Sequence, residues 1–138
     1  MKQFLTSCFL LWAGPAFASV SAFYVDPNGS DNNPGTLAAP FLTLEKAQKA
    51  MRSSYTIKTT YFRTGTYLRA NELTLTSADN KETWATYPGD VNNSAVLKYN
   101  GTGFLLIHIT GGSNITISNL TLDGGTSGEP MFTPLRYL

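Results

Sequence analysis

A train of short β-forming segments, most of them separated by turn residues, constrains the fold of this chain more than any other feature. The segments are rich in Thr, Ile, Leu, Val and aromatic residues, which favour strands. They read TTYF (59–62), LTLT (73–76), TWATY (83–87), AVLKY (95–99), LLIHIT (105–110), NITI (114–117) and NLTL (119–122). Charged residues make up only 14% of the chain, against about a quarter in typical soluble domains. The pattern predicts an all-β, turn-rich protein.

The spacing of these segments indicates a repeat architecture. Positions recur at almost equal steps in two series: Tyr61, Trp84 and Ile107 at 23 residues, and Leu73, Val96 and Leu120 at 23 and 24 residues. Two interleaved strand series of this period are typical of a solenoid, in which each coil buries its inward side chains on its neighbours. An antiparallel meander would instead place strands about every 8–12 residues, joined by hairpin turns. Asn100-Gly101 comes nearest to such a turn, and the meander stays open as the structural alternative.

One amphipathic helix is predicted from Thr43 to Ser53. Thr43 suits the N-cap, and Glu45 lies in the first turn, where the helix dipole favours a negative charge. The apolar stripe consists of Leu44, Ala47, Ala50 and Met51, and the opposite face carries Lys46, Lys49 and Arg52. Because a solenoid exposes its core at both ends, we expect this helix to cap the N-terminal end. No equivalent helix follows Asp123, so we expect the chain to be truncated at its C-terminal end.

The first eighteen residues match a secretory signal peptide. Lys2 supplies a positive start, Phe9 to Trp12 an apolar run, and Ala16-Phe17-Ala18 a small-x-small cleavage site. The run is shorter than the roughly 20 residues that span a bilayer. The only cysteine, Cys8, lies in this segment, in a string that loosely resembles a lipoprotein acylation box. We therefore predict a secreted protein, extracellular or periplasmic, without disulfides. Its predicted parts are a signal peptide (1–18), a turn-rich segment with the capping helix (19–58) and the first coils (59–138).

The segment FYVDPNGSDNNPGTLAAPFLTLEKAQKAM (23–51) resembles the N-terminal signature of secreted right-handed parallel β-helix proteins of the pectate-lyase-like superfamily. The strings FRTGTYLRANELTLT (62–76) and TWATYPGD (83–90) are similar to the first coil of that family. GGSNITISNLTLDGG (111–125) is similar to a following coil. The resemblance implies an all-β, right-handed parallel β-helix (solenoid) with an N-terminal capping α-helix.

The same resemblance implies a carbohydrate-active role without deciding the reaction. The pattern is shared by β-helix glycoside hydrolases and polysaccharide lyases, whose active sites lie on central coils that would follow Leu138. We therefore expect the N-terminal part of a secreted protein acting on polysaccharide, without a complete active site. A non-catalytic β-helix adhesin or glycan-binding protein is the alternative. The net charge of +1 gives no sign of a polyanion-binding surface, so the expected partner is polysaccharide rather than nucleic acid or membrane. The chain is also expected to be a monomer.

Few acidic residues suit the chemistry of such enzymes. Glycoside hydrolysis uses two carboxylates, and Asp123, between a predicted strand and Gly124, is the one that we single out. Asp90 is interpreted as a turn residue. Asp79 and Glu82 are interpreted as members of the charged loop SADNKE.

Elimination by a lyase uses a base and a cation beside the carboxylate of a uronate sugar. Lys98 and Arg63 lie on predicted strands that project them outward, and Tyr87 or Tyr99 offers a ring on which a sugar can stack. We take Asp123, Lys98 and Tyr99 as candidate glycan-binding residues and assign no catalytic residue.

The remaining motifs have structural interpretations. His108 has no visible partner in the sequence and is interpreted as an outward or stacked histidine. Asp26, Asn28 and Asp31 alternate oxygen ligands in a tight loop but lack the spacing and the terminal Glu of an EF-hand. No cofactor is assigned, and Ca²⁺ stays open for a full-length protein. Five Asn-x-Ser/Thr triplets begin at Asn28, Asn92, Asn100, Asn114 and Asn119, and the last two are interpreted as residues at coil corners.

Overall fold

The computed structural model describes residues 21–100, 106–124 and 132–133, so the predicted signal peptide at 1–18 lies outside the described residues. Short strands and one helix make up the described part. The strands are β1 (Phe23–Val25), β2 (Thr59–Phe62), β3 (Gly65–Arg69), β4 (Leu73–Leu75), β5 (Thr83–Thr86), β6 (Ala95–Tyr99), β7 (Ile107–Ile109), β8 (Thr116–Ser118), β9 (Leu120–Asp123) and β10 (Phe132–Thr133). The helix is α1 (Leu44–Ser53), and a 3-10 turn spans Ser77–Asp79.

The strands form three parallel sheets. The first sheet has the order β1-β2-β5-β8, the second β3-β6-β9 and the third β4-β7-β10. From β2 onward the chain therefore visits the first, second and third sheets in turn, and it makes three such passes in all. Parallel neighbours need crossover connections rather than hairpins, so the antiparallel meander is wrong for the described residues. The all-β prediction is confirmed, since the described chain is mostly strands in parallel sheets with one helix.

The strand register differs from the predicted one. Tyr61 pairs with Ala85 rather than Trp84, and Ile107 lies in the third sheet, paired with Leu73. The two predicted series therefore mix positions from different sheets, and that part of the prediction is wrong. The physical reason is that the turns between strands differ in length, so a constant step along the sequence does not follow the register.

Some of these turns are fixed by asparagines in a left-handed backbone conformation. Asn114 and Asn119 both have φ near 56° and lie just before β8 and β9. Asn tolerates this conformation better than most residues because its short polar side chain bonds locally. Both asparagines, which the sequence analysis interprets as residues at coil corners, lie outside the strands, and Asn93, with φ 62°, has the same conformation before β6.

The three sheets share one apolar core. The first sheet contributes Phe62 and Trp84, the second Leu97, and the third Leu75 and Ile107, all essentially buried. The Phe62 and Trp84 rings lie 6.0 Å apart between centroids. Alternate residues of a strand face opposite sides, so each sheet turns one face to this core and the other outward.

The helix begins where the sequence predicts. The hydroxyl of Thr43 accepts a hydrogen bond from the Lys46 amide at 3.2 Å, which satisfies one of the free donors at a helix start. Asp31 reinforces this end, because its carboxylate accepts from the Leu42 and Thr43 amides. The buried face contains Gln48 as well as the predicted apolar residues Leu44, Ala47 and Met51. The Gln48 amide donates to the carbonyl oxygen of Thr74 and ties α1 to β4.

The strand β3 has no counterpart among the predicted segments. Its outward residue Leu68 is 64% exposed, whereas Tyr67 and Arg69 face inward and are buried. Arg69 is neutralised there by two hydrogen bonds to the carboxylate of Glu45. At this strand an apolar side chain, Leu68, therefore faces solvent, while a charged one, Arg69, faces inward. No helix in the described ranges is long and apolar enough to cross a membrane.

Candidate functional site

Three tyrosine rings meet on the outer face of the first sheet. Tyr24 and Tyr61 are register partners on β1 and β2, with ring centroids 5.8 Å apart. The ring of Tyr87, which follows β5, lies 5.6 Å from Tyr24 and 5.9 Å from Tyr61. Each ring is half-buried. We call Tyr24, Tyr61 and Tyr87 the tyrosine cluster.

Strand alternation explains why these rings lie outside the core. Val25 and Phe62, the next residues of β1 and β2, are buried, so Tyr24 and Tyr61 must face the other way. Ala85 is the register partner of Tyr61 and has a short side chain. The position two residues later on the same face is Tyr87, whose ring completes the cluster.

An ion pair borders the cluster and fixes the Tyr87 ring. The guanidinium of Arg63 lies 5.4 Å from the ring centroid, a cation–π distance. The same guanidinium contacts the Asp90 carboxylate through Nε at 2.9 Å and Nη2 at 3.3 Å. Asp90 also accepts from the Thr64 amide at 2.9 Å. A Cβ at Gly89 would collide with the Tyr87 ring, so a larger residue there would force the ring to move.

The ion pair beside the tyrosine cluster compensates its own two charges. The hydrogen bonds from Arg63 hold the pKa of Asp90 below its usual range, and the same contact raises the pKa of Arg63. The two opposite charges therefore compensate at all ordinary pH values. Burial, followed by the nearby rings of Tyr87 and Tyr61, raises the pKa of Tyr24. Its hydroxyl stays protonated and serves as both donor and acceptor.

The structure places two of the three predicted binding residues together on the second sheet. Lys98 and Asp123 are register partners on β6 and β9, and Nζ lies 2.8 Å from Oδ2. Both side chains are partly exposed, at 46% and 37%. Tyr99 follows Lys98 on the strand and is half-buried against the core. Because consecutive residues face opposite sides, Tyr99 does not lie beside the ion pair as a platform.

Asp79 and Glu82 lie between β4 and β5, in the loop where the sequence places them, but both side chains are fully buried. Arg52 of α1 clamps Asp79 with two hydrogen bonds of 2.7 Å. Burial alone would raise the pKa of Asp79, but the bonds from Arg52 and from the Thr76 amide outweigh it and hold the pKa below its usual range. Sequence shows the charges of this loop but not the helix that lies over them.

The other candidates have local partners. Nδ1 of His108 lies 3.2 Å from a carboxylate oxygen of Glu72, a neighbour across the third sheet that sequence spacing does not reveal. In the N-terminal turn, Asp26 accepts from the Asn28 amide, and Asp31 caps α1. In the loop considered for calcium, Asp26 thus bonds within the turn, whereas Asp31 bonds to the start of α1. Within the described ranges, no group of three or more His, Cys, Asp or Glu side chains has a metal-binding arrangement.

The sequence indicates Tyr87 as a candidate residue but does not indicate Tyr24 or Tyr61. Both are tyrosines that alternate with buried residues on short strands, and this outward position is the available signal. The signal becomes specific only with the register, which brings the two strands side by side. The ion pair of Arg63 with Asp90 was missed for the same reason.

Comparison with known proteins gives similarity of fold without a family. No protein-family model matches the sequence, and no curated protein matches it. One similar solved structure is a glycoside hydrolase, with a TM-score of 0.50 and 20% identity, covering 56% of this chain and 15% of that one. Another is a rhamnogalacturonan lyase, with a TM-score of 0.53 and 24% identity, covering 74% of this chain and 28% of that one. The chain thus spans less than a third of either structure, and the fold is one that carbohydrate-active proteins share.

Proposed function

We propose that this chain belongs to a secreted right-handed parallel β-helix protein that binds polysaccharide through the tyrosine cluster. The β-helix reading is supported by the order in which the chain visits three parallel sheets, one strand to each in turn. Crossovers between parallel strands are right-handed in about 98% of cases. The contacts of α1 with β1 and β2 suit a cap on the first coil. Secretion rests on the signal-peptide pattern of residues 1–18.

The observation that carries the proposal is the partly exposed tyrosine cluster beside an ion pair. A pyranose ring has a flat face of C–H groups that packs on an aromatic ring, and hydroxyl groups around its edge. Tyrosine offers an apolar face and a polar hydroxyl together, while Arg63 and Asp90 offer donors and acceptors at the border. The arrangement therefore matches both parts of a sugar.

The charge of the site favours an uncharged sugar. Arg63 and Asp90 neutralise each other, and the tyrosine cluster offers aromatic rings and hydroxyl groups. A carboxylated sugar would find no unpaired cation there. We therefore propose a neutral glycan as the ligand of the tyrosine cluster.

Binding, rather than catalysis, is the function proposed for the described surface. Asp90 and Asp123 lie in ion pairs, Glu72 contacts His108, and Asp26 and Asp31 accept hydrogen bonds from backbone amides. Hydrolysis would need two carboxylates placed across a bound sugar. Hydrolase or lyase activity is proposed only for a whole protein of which this chain is a part, and the alternative is a non-catalytic glycan-binding β-helix.

The test is to measure neutral oligosaccharide binding by the 138-residue chain and two variants by isothermal titration calorimetry. Tyr61→Ala removes one ring of the cluster, and we expect the affinity for a neutral ligand to fall about tenfold, equivalent to about 1.4 kcal/mol. Tyr55→Ala is the matched control, because Tyr55 is fully exposed and makes no ring contact among the described residues. Equal affinity for both variants, or no neutral glycan bound at millimolar concentration by the unmodified chain, would contradict the proposal.

A further inference from the structure

A second concave site lies between α1 and the loop that precedes it. This groove, of about 330 Å³, is lined by Phe23, Phe41 and Ala50 and has Lys46 and Lys49 at its rim. We call it the cap groove. Its volume lies at the lower end of the range for small-ligand sites, about 300–1,000 Å³.

The floor of the cap groove is apolar and preformed. The rings of Phe23 and Phe41 lie 5.6 Å apart and are tilted by 38°. Phe41 is buried, whereas Phe23 and Ala50 are half-buried and pack against the core. The floor therefore needs no rearrangement to accept the apolar face of a ligand.

The rim of the cap groove is cationic. Lys46 and Lys49 are three residues apart on α1 and hence lie on neighbouring positions of one helix face. The ammonium of Lys46 lies 5.8 Å from the Phe41 ring centroid, at the edge of the floor. No carboxylate lines the groove, and neither lysine has an ion-pair partner within the described ranges. By contrast Arg52, the third cation predicted on this face, pairs with Asp79.

We propose that the cap groove binds a sugar that carries an anionic group, a carboxylate or a sulfate. The floor packs on the apolar face of the sugar, and the two lysines neutralise the anion. The first twenty residues of the chain contain no Asp or Glu, so that segment cannot supply the anion. The inference rests on the proposed polysaccharide-binding function and adds that the ligand includes an acidic sugar, whereas the tyrosine cluster takes a neutral one.

The experiment compares a uronic acid trisaccharide with its methyl ester, which has the same shape and no charge. Calorimetry with the 138-residue chain at pH 7 and low salt should show at least about tenfold tighter binding of the acid, and the preference should weaken as salt screens the charges. A sulfated trisaccharide is the third ligand. If it binds tighter than the uronate, the anion is a sulfate, and if weaker, a carboxylate. Equal binding of acid and ester would overturn the inference.

Lysine variants connect the preference to the groove. The double variant Lys46→Gln and Lys49→Gln should bind acid and ester equally, whereas the control Lys81→Gln, an exposed lysine away from the groove, should keep the preference. A double variant that still prefers the acid would refute the assignment.

Neutral ligands separate this inference from the proposed function. Tyr61→Ala should weaken neutral oligosaccharide binding, and the double lysine variant should not. A chain that binds neutral sugar but ignores the anion overturns the cap-groove inference alone. Loss of neutral binding in the double variant, with Tyr61→Ala unaffected, would overturn the proposed function.

Discussion

From the buried carboxyl of Glu82 we predict how the free energy of unfolding depends on pH. Its Oε2 accepts a hydrogen bond from the Trp84 indole at 3.1 Å, while Oε1 is buried without a hydrogen-bond partner within the described residues. Burial, reinforced by the negative charge of Asp79, raises the pKa of Glu82 to about 7. The folded protein therefore holds a proton that the unfolded chain releases near its ordinary pKa of 4.5.

The sign and size of the effect follow from proton linkage. Because the folded-state pKa is raised, the stabilisation is fully present below pH 4.5 and is lost as the pH rises through 7. Each unit of pKa difference corresponds to about 1.4 kcal/mol, so the total loss is up to about 3 kcal/mol. Other carboxylates titrate near pH 4, and only a comparison with a variant lacking the Glu82 proton isolates its contribution.

The substitution Glu82→Gln keeps the shape of the side chain and an acceptor for Trp84 but cannot ionise. Urea denaturation of the original chain and the variant, followed by tryptophan fluorescence from pH 4.5 to 8.5, gives two free energies of unfolding at each pH. We expect the free energy of unfolding of the variant, relative to that of the original chain, to rise by up to about 3 kcal/mol between pH 4.5 and 7.5 and then to level off. A difference that does not change with pH would contradict the raised pKa, because it would mean that Glu82 ionises normally in the folded chain.

Two other substitutions test the clamp around Asp79 and the packing of Tyr87. Asp79→Asn removes the carboxylate charge that pairs with Arg52, and we expect the free energy of unfolding at pH 7, measured by urea denaturation, to fall by about 2 kcal/mol. This is less than the cost of breaking a fully buried ion pair, because Arg52 is partly solvated. A change below about 0.5 kcal/mol would contradict a stabilising role of the ion pair. Gly89→Ala forces the Tyr87 ring to move. We therefore expect the affinity for a neutral glycan, measured by calorimetry, to fall severalfold while the midpoint of urea unfolding changes little. Unchanged affinity would show that the position of the Tyr87 ring does not matter for binding.

Local physical chemistry in the sequence determined most of the elements. Runs of Thr and apolar residues predict strands such as β2 and β6 because branched and aromatic side chains fit a pleated surface. The Thr43 cap and the acidic first turn predict α1, since both satisfy free amides or the dipole within four residues of the helix start. β3 was missed because its buried face holds Tyr67 and Arg69, and Arg69 reads as polar until Glu45 neutralises it.

The candidate sites depended on the tertiary structure. The tyrosine cluster needs the register of β1, β2 and β5, and register depends on turn lengths that no constant period reproduces. The sequence marks Lys46, Lys49 and Arg52 as one polar face, yet packing pairs only Arg52 and leaves the two lysines at the rim of the cap groove.

The all-β class, the helix and the conformation of the asparagines at the bends follow from interactions between residues close together in the chain. The burial of Glu82, the pairing of Lys98 with Asp123, and the meeting of three tyrosines from separate segments on one surface follow from the packing of the strands. Those properties arise from contacts between residues more than twenty positions apart. Their geometry is set by how the strands stack rather than by the preferences of any one segment.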